Sequence, residues 1–539
     1  MSDTFISGLL SDEVEAKYEE MPYFKVITFE NGEYPDEPVT YADIFLNACR
    51  VAKTLKGSGI GKGDKFSLVM HNHPEFLYSL IAASLTGAIV VPIDPRSKGD
   101  KLLYQIKDSG SKGIIFSNAV MEEVEGVLKE SPSLKVIGVA YKEGYGEPYT
   151  DKYISFNEIL SGPAVPPPDD RNKDLRAPLQ IAYTSGTTGE PKGVTIRNER
   201  LLQAKFMAQF FWGYKDNDIL YTGLSLTHGN AQGVTMAPAL MLKIPAIISS
   251  KFTKSRIWDI CRRYGCTTFS LLGGMMMGIY SEPPKPNDAD NPVKVVLSAG
   301  TTIAIWEAFE KRFNVHIHEW YGALEGGFAH NPPGVGVLGS FGRPIEGVLE
   351  MKVVREDDTE CEPGEIGELI FRPVQGKAEV DYYGKKEASE KKTRGGWLRS
   401  GDMCHRDKDG WFYFDFRTGG GLRRQGDFIQ PEYIEKILSE QSEITDVCVY
   451  GIPAESGAPG ESDIVAAIVP AEGKKIDTKK IFDVLSKNLE NNAIPSYLQV
   501  VDEIPKTASE KNLDRVLRNT FKKDASNVFS FHTLERKSN

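Results

Sequence analysis

The chain has 539 residues, room for about three or four domains at roughly 150 residues each. With 64 Lys+Arg against 75 Asp+Glu, its formal net charge is −11, which argues against a nucleic-acid partner held by a basic field. Hydrophobic residues at 40% and charged residues at 26% are the balance of a folded globular protein, not a disordered one.

The N-terminal segment has no basic stretch followed by an apolar core, so no signal peptide is expected. Helical and strand patterns then alternate. They predict a helix over 41–56, a strand over 65–70, a helix over 74–85, a strand over 89–93, a helix over 100–108 and a strand over 113–116. This is the signature of an α/β fold of mostly parallel sheets with flanking helices. The uncharged run from Phe76 to Ile93 is divided by Gly87 and Pro92 into a core helix and a buried strand, so no membrane span is expected. The segment 161–176, with four prolines, reads as a surface linker. A strand over 294–298, a helix over 303–313 and a strand over 315–319 should make a parallel crossover unit. The following loops, Gly300-Thr301-Thr302 and Tyr321 to Glu325, then share the carboxyl edge of a sheet, where ligands bind. From about 347, short strands alternate with turns at 362–365 and 407–410, a β-rich subdomain. The segment 418–421, with three glycines, predicts a flexible hinge. It separates an N-terminal domain over 1–417 from a small mobile α+β domain over 422–521. Residues 522–539 read as a frayed tail. Six scattered cysteines form no CxxC pair, which fits a reduced, cytoplasmic protein.

The strongest motif runs from Tyr183 to Gly193, YTSGTTGEPKG, between two apolar strand patterns. Thr184, Ser185, Gly186, Thr187, Thr188 and Gly189 make a donor-rich loop that can wrap phosphate oxygens, and Lys192 adds a positive charge. Gly193 follows Lys192 where a Walker A loop has Ser or Thr, so a P-loop NTPase or kinase is disfavoured.

This string resembles the phosphate loop of the adenylate-forming enzymes, the superfamily of acyl-CoA synthetases, luciferases and adenylation domains. Further segments match that family in order. Tyr321-Gly322-Ala323-Leu324-Glu325 is similar to its YGxTE motif, which implies that Tyr321 packs on adenine and Glu325 helps to hold magnesium. Gly401-Asp402 resembles the segment whose Asp binds ribose, and Arg417 matches a ribose-contacting Arg. Pro505 to Lys511 resembles the C-terminal motif that ends in the catalytic Lys. The segment 423–435 resembles the one after the family hinge, which implies that Arg423 and Gly426 lie on the coenzyme A path. The stretch from Leu226 to Gln232, the turn at 375–377 before Tyr382 and Tyr383, and Ser496-Tyr497-Leu498 are similar to the crotonobetaine/carnitine–CoA ligases. That likeness implies an acyl pocket at His228, Gly273, Gly274 and Ala323.

The resemblance therefore implies ATP, Mg2+ and coenzyme A, with a small-molecule carboxylic acid as partner and a monomer or homodimer as assembly. The expected reaction is activation of the acid as acyl-adenylate, then transfer to coenzyme A. Catalysis would rest on Lys511, Glu325 and His228. Four positions depart from the family: Leu324 for Thr, Gly419 at the hinge, Glu510 before Lys511, and Arg197-Asn198 for Ser/Thr-His. They keep open a catalytically weak nucleotide-binding relative; an adenylating enzyme without coenzyme A chemistry is the other alternative. His316 and His318 alternate on a strand as two metal ligands would, but no third ligand lies nearby in sequence.

Overall fold

Helix Pro74–Thr86 is apolar on nearly every side, and all 13 of its residues are buried. It packs on helix Tyr41–Gly57, whose start is fixed by a capping box between Thr40 and Asp43. Together they belong to one core that draws Phe24, Ala246 and Ile248 from one large sheet and Phe66, Leu68 and Val90 from another. The helices therefore form a layer between two sheets. The computed structural model describes residues 22–27, 35–142, 146, 148–184, 191–301, 303–417, 422–429, 431–458, 460–505, 512 and 514–531.

Among the described residues, one large sheet has six strands and the other nine. The six-stranded sheet places Ile89–Ile93 between Lys65–Val69 and Pro178–Thr184, all parallel, and ends on the antiparallel strand Lys192–Arg197. Pro92 has no amide hydrogen to give, and pairing with Pro178–Thr184 is registered only at Val90 opposite Gln180. The centre of the nine-stranded sheet is parallel, through Thr268–Leu272, Val295–Ala299 and His316–Ala323. The mostly parallel architecture is thus as the patterning predicts.

Three expectations need correction. Strand His316–Ala323 runs beyond 319 and contains Tyr321, Gly322 and Ala323, because antiparallel Gly326–Asn331 extends its ladder. The crossover helix over 303–313 opens with a 3-10 turn, Ile303–Ile305, before Trp306–Phe313. Part of the expected frayed tail is strand Val528–Ser530, paired with Tyr497–Val500, because Phe529 and Phe531 find apolar partners in the C-terminal core.

The segment 349–417 forms a four-stranded antiparallel sheet. After it come a short hairpin, Leu422–Arg424 with Asp427–Ile429, and a C-terminal sheet over Ile444–Pro453, Ser462–Pro470, Tyr497–Val500 and Val528–Ser530. Among the described residues, no helix is long and apolar enough to cross a membrane.

Candidate active site

A cavity of about 1480 Å³ opens where the carboxyl ends of strands from both large sheets meet. Thr184, Leu272, Ala299 and Ala323 end or nearly end their strands there. The volume exceeds the roughly 300–1,000 Å³ of a single-ligand pocket.

One corner is built by the hairpin of Pro178–Thr184 and Lys192–Arg197. Thr184 sits opposite Lys192 and donates to its carbonyl at 3.4 Å. The loop between them carries Ser185, Gly186, Thr187, Thr188 and Gly189, which lie outside the described residues. Lys192 Nζ stands 5.5 Å from the centre of the Tyr382 ring. The Tyr382 hydroxyl donates to Glu325 Oε1 at 2.8 Å. Glu325 is thus held at the turn between two strands, facing the cavity with the Lys192 corner. Among the described residues no cluster of three metal-ligating side chains exists. A lone anchored carboxylate fits Mg2+, which takes one or two carboxylates and fills its remaining positions with water and substrate phosphates.

A second corner is built on the edge between the nine-stranded sheet and the β-rich subdomain. The Tyr321 hydroxyl donates to Asp402 Oδ2. Its ring stacks on Phe371 and lies against Phe341. Asp402, 4% exposed, is paired with Arg417 across the subdomain strands; the Arg417 side chain lies outside the described ones. Beside them, Glu319 accepts from the Gly300 amide at 2.6 Å, from the Thr301 amide at 3.1 Å and from the Thr301 hydroxyl. Burial pushes the Glu319 carboxyl up to about 7, against the pull of these three donors. Gly300 has φ +88°, a turn that favours glycine. Thr302 lies outside the described residues.

His228 lines the cavity on a loop pinned from below by Asn72. The Asn72 amide gives hydrogen bonds of 2.8 Å to the Leu224 and Ser249 carbonyls and accepts one of 2.7 Å from Leu226 N. His228 Nδ1 accepts from Asn230 N at 3.2 Å, which directs Nε2 as the free position. Burial lowers its pKa. Gly322 and Ala323 line the same cavity. Gly273 and Gly274 open helix Gly273–Tyr280 but lie outside the described side chains. Met276, in the same helix, is fully buried in a core and not in the cavity wall.

The C-terminal domain closes the cavity with its hairpin. Gly426 has φ +86°, and a Cβ there would meet Leu272 Cδ1 at 2.3 Å. Its backbone therefore touches the end of a sheet strand, as only glycine allows. Glu461 holds the hairpin by accepting from Gly426 N at 2.9 Å and from Gln425 N, with Arg423 Nε 3.6 Å away. Ion pairs hold the docked face: Arg96 to Asp427 at 3.1 Å, Lys101 to Glu490 at 2.6 Å, and Lys436 to Asp100 at 2.7 Å. Lys511 lies outside the described residues.

The chain matches the model of the AMP-binding enzyme over residues 15–375 and that of the AMP-binding enzyme C-terminal domain over 433–511. The chain belongs to the AMP-binding enzyme family. It is 28% identical over 514 residues to long-chain fatty acid transport protein 2 of Rattus norvegicus, covering 89% of this chain and 81% of the relative. It is 26% identical over 504 residues to crotonobetaine/carnitine–CoA ligase of Salmonella arizonae, covering 91% and 95%. Its fold is that of o-succinylbenzoate CoA synthetase from Bacillus subtilis, with TM-score 0.77, 20% identity and coverage of 93% and 97%. Anthranilate CoA ligase AuaEII shares the fold at TM-score 0.70, 22% identity and coverage of 96% and 97%.

Within this AMP-binding fold, two departures have structural explanations. Leu324 packs with Ala182, Val194, Ile196 and Tyr382, so an apolar niche replaces the usual hydroxyl. Asn198, 3% exposed, accepts from Ser84 at 2.8 Å and donates to the Ala177 carbonyl at 2.9 Å, a structural tie. Arg197 donates to the Arg176 carbonyl and pairs with Asp381. Gly419 and Glu510 lie outside the described residues. His318 faces His330 at 3.2 Å inside an aromatic cluster and has no carboxylate or thiol beside it, so the strand histidines make no metal site among the described residues.

Sequence reasoning missed Asn72, Glu319 and Tyr382 as site residues. Tyr382 had a signal, its place after the turn at 375–377. Asn72 had none, since a lone Asn in a pattern of helices and strands is ordinarily a surface residue.

Proposed function

We propose that this AMP-binding enzyme is an AMP-forming acyl-CoA ligase for carboxylic acids with an apolar acyl chain. The observation that carries the reading is the single cavity shared by the phosphate corner, the Tyr321–Asp402 corner, His228 and Gly426 of the C-terminal domain. In the first half-reaction the substrate carboxylate attacks the α-phosphorus of ATP, the bond to the β-phosphate oxygen breaks, and pyrophosphate leaves. In the second, the coenzyme A thiol loses its proton, its sulfur attacks the acyl carbonyl, and AMP leaves. Anion meets anion in the first step. Lys192 and Lys511 offset that charge as it builds. Magnesium at Glu325 would supply further positive charge to the phosphates. Asp402 and Arg417 receive the ribose, and Tyr321 with Gly300 and Thr301 the adenine. Arg423 and Gly426 border the thiol path. His228 separates the carboxylate from the C-terminal hairpin.

The acyl wall supports an apolar chain. Leu201, Met207, Val234 and Leu349 face the cavity together with Trp212 and Phe328. The similarity to a long-chain fatty acid transport protein points the same way. A second reading, an acid bearing a quaternary ammonium, draws on the mutual packing of Trp212, Trp320 and Phe328 at 5.4–6.1 Å, since aromatic faces attract such cations. The relative that acts on crotonobetaine or carnitine favours it too.

The test separates the half-reactions. Lys511→Ala should abolish adenylate formation and leave thioester formation from preformed acyl-adenylate largely intact. Gly426→Ala should do the reverse. Equal loss of both steps in either variant would refute one cavity served by two faces of the C-terminal domain.

A further inference from the structure

Arg200 is the second residue of helix Glu199–Met207 and lines the cavity. The other cavity arginines have occupations: Arg96 pairs with Asp94 and Asp427, Arg399 with Asp358 and Glu368, Arg394 with Asp358, and Arg423 with Glu461. Arg200 has no hydrogen bond or ion pair with any described residue. Its side chain is exposed and opens into the cavity. A guanidinium on a cavity wall that no described side chain engages has five donors to offer an anion entering the cavity.

The surroundings say which anion. Ile196, four residues before Arg200, packs with Tyr382 and Leu324, and the neighbouring Glu325 carboxylate, which Tyr382 holds by one oxygen, lines the same cavity and is the charge that acts on Arg200. Lys192 leans on the same Tyr382 ring. Arg200, Glu325 and Lys192 therefore belong to one polar corner. The apolar wall begins with the next residue, Leu201, 7% exposed, and continues one helical turn on at Ala204. A guanidinium at the start of this helix lies on the polar side of that border. Planar, forked donors match phosphate oxygens.

We propose that Arg200 binds the β,γ-phosphates of ATP, and the pyrophosphate they become, opposite Lys192. This rests on the adenylate-forming reading and adds a phosphate ligand outside the Tyr183–Gly193 loop. The residue stays cationic throughout; no bond to it forms or breaks.

The test uses the full chain, wild type, Arg200→Met and Arg200→Lys. Dissociation constants of Mg·ATP, Mg·pyrophosphate and AMP are measured by calorimetry. In Arg200→Met, ATP and pyrophosphate should bind about tenfold or more weakly, the loss expected for a charge-assisted hydrogen bond. AMP, which lacks those phosphates, should change less than about twofold, which also shows that the variant is folded. Arg200→Lys should recover part of the loss. Unchanged ATP affinity in Arg200→Met, or equal weakening of ATP and AMP, overturns the proposal. A wild type that binds ATP and releases AMP with pyrophosphate while Arg200→Met behaves identically refutes Arg200 alone. A wild type that binds no ATP refutes the adenylate-forming reading and the proposal with it.

Discussion

Asn72 holds His228 in place without touching substrate. Its amide is fully used, and Asn72→Ala would leave two buried carbonyls and one buried amide without partners. Such losses run to about 1–3 kcal/mol each before relaxation. We expect about 2–4 kcal/mol of destabilisation in denaturant titration, with the acid KM raised more than that of ATP. Glu319 gives a pH signature. Its folded pKa, raised to about 7 from an ordinary 4.5, means that the folded chain holds this proton more tightly than the unfolded chain. Stability from this group is therefore full at low pH and is lost as pH rises through about 7. Glu319→Gln removes the titration. The melting temperature of the variant, relative to wild type, should rise between pH 5 and pH 8; a constant difference would show that Glu319 is ionised throughout. At this scale the sequence was only partly readable. The loop at Tyr183–Gly193 carries its chemistry in its letters. Glu319, Asn72 and Arg200 acquire theirs from what the fold brings beside them.

Elements were more legible than residues. Helix Pro74–Thr86 and strand Ile89–Ile93 stand nearly where patterning places them, because burial on all sides leaves an unbroken apolar run and Gly87 ends the helix in a left-handed turn. The strand at 315–319 was read too short because Tyr321, Gly322 and Ala323 lack apolar alternation; they extend as strand only through Gly326–Asn331. Residues 528–530 were missed for a similar reason, since their pairing partner is some thirty residues away. The hairpin Leu422–Ile429 makes the sharpest element-scale prediction. Gly426→Ala introduces a methyl group into contact with Leu272 and strains a positive φ. Overpacking of about 1–3 kcal/mol corresponds to roughly 5–150-fold in rate. That loss should fall on thioester formation, with adenylate formation unchanged within about twofold; stopped-flow analysis of each half-reaction reads both.

At the scale of the whole molecule, the C-terminal domain docks through charges. Glu490, 7% exposed, accepts from both Lys101 and Ser97 across the domain boundary. Glu490→Ala should depopulate the docked arrangement seen here. Hydrogen exchange at 96–101 should rise and the thioester step should slow, while adenylation should not. Unaltered exchange would show that the clamp does not hold the domain. The glycine segment 418–421, expected from the sequence to link two domains, lies outside the described residues. Which face docks was not visible in the sequence, because Arg96, Lys101 and their acidic partners lie more than 300 residues apart and meet only in the folded chain.

The most direct measurement is a product analysis with ATP, Mg2+, coenzyme A and a graded panel of acids: short-chain, long-chain, carnitine-like, dicarboxylic and aromatic. AMP, ADP, pyrophosphate and thioester are quantified together. AMP and pyrophosphate should form in equal amounts with one thioester each, and turnover should rise with the apolar length of the acid. ADP as product, or AMP and pyrophosphate without thioester for every acid, would refute an acyl-CoA ligase.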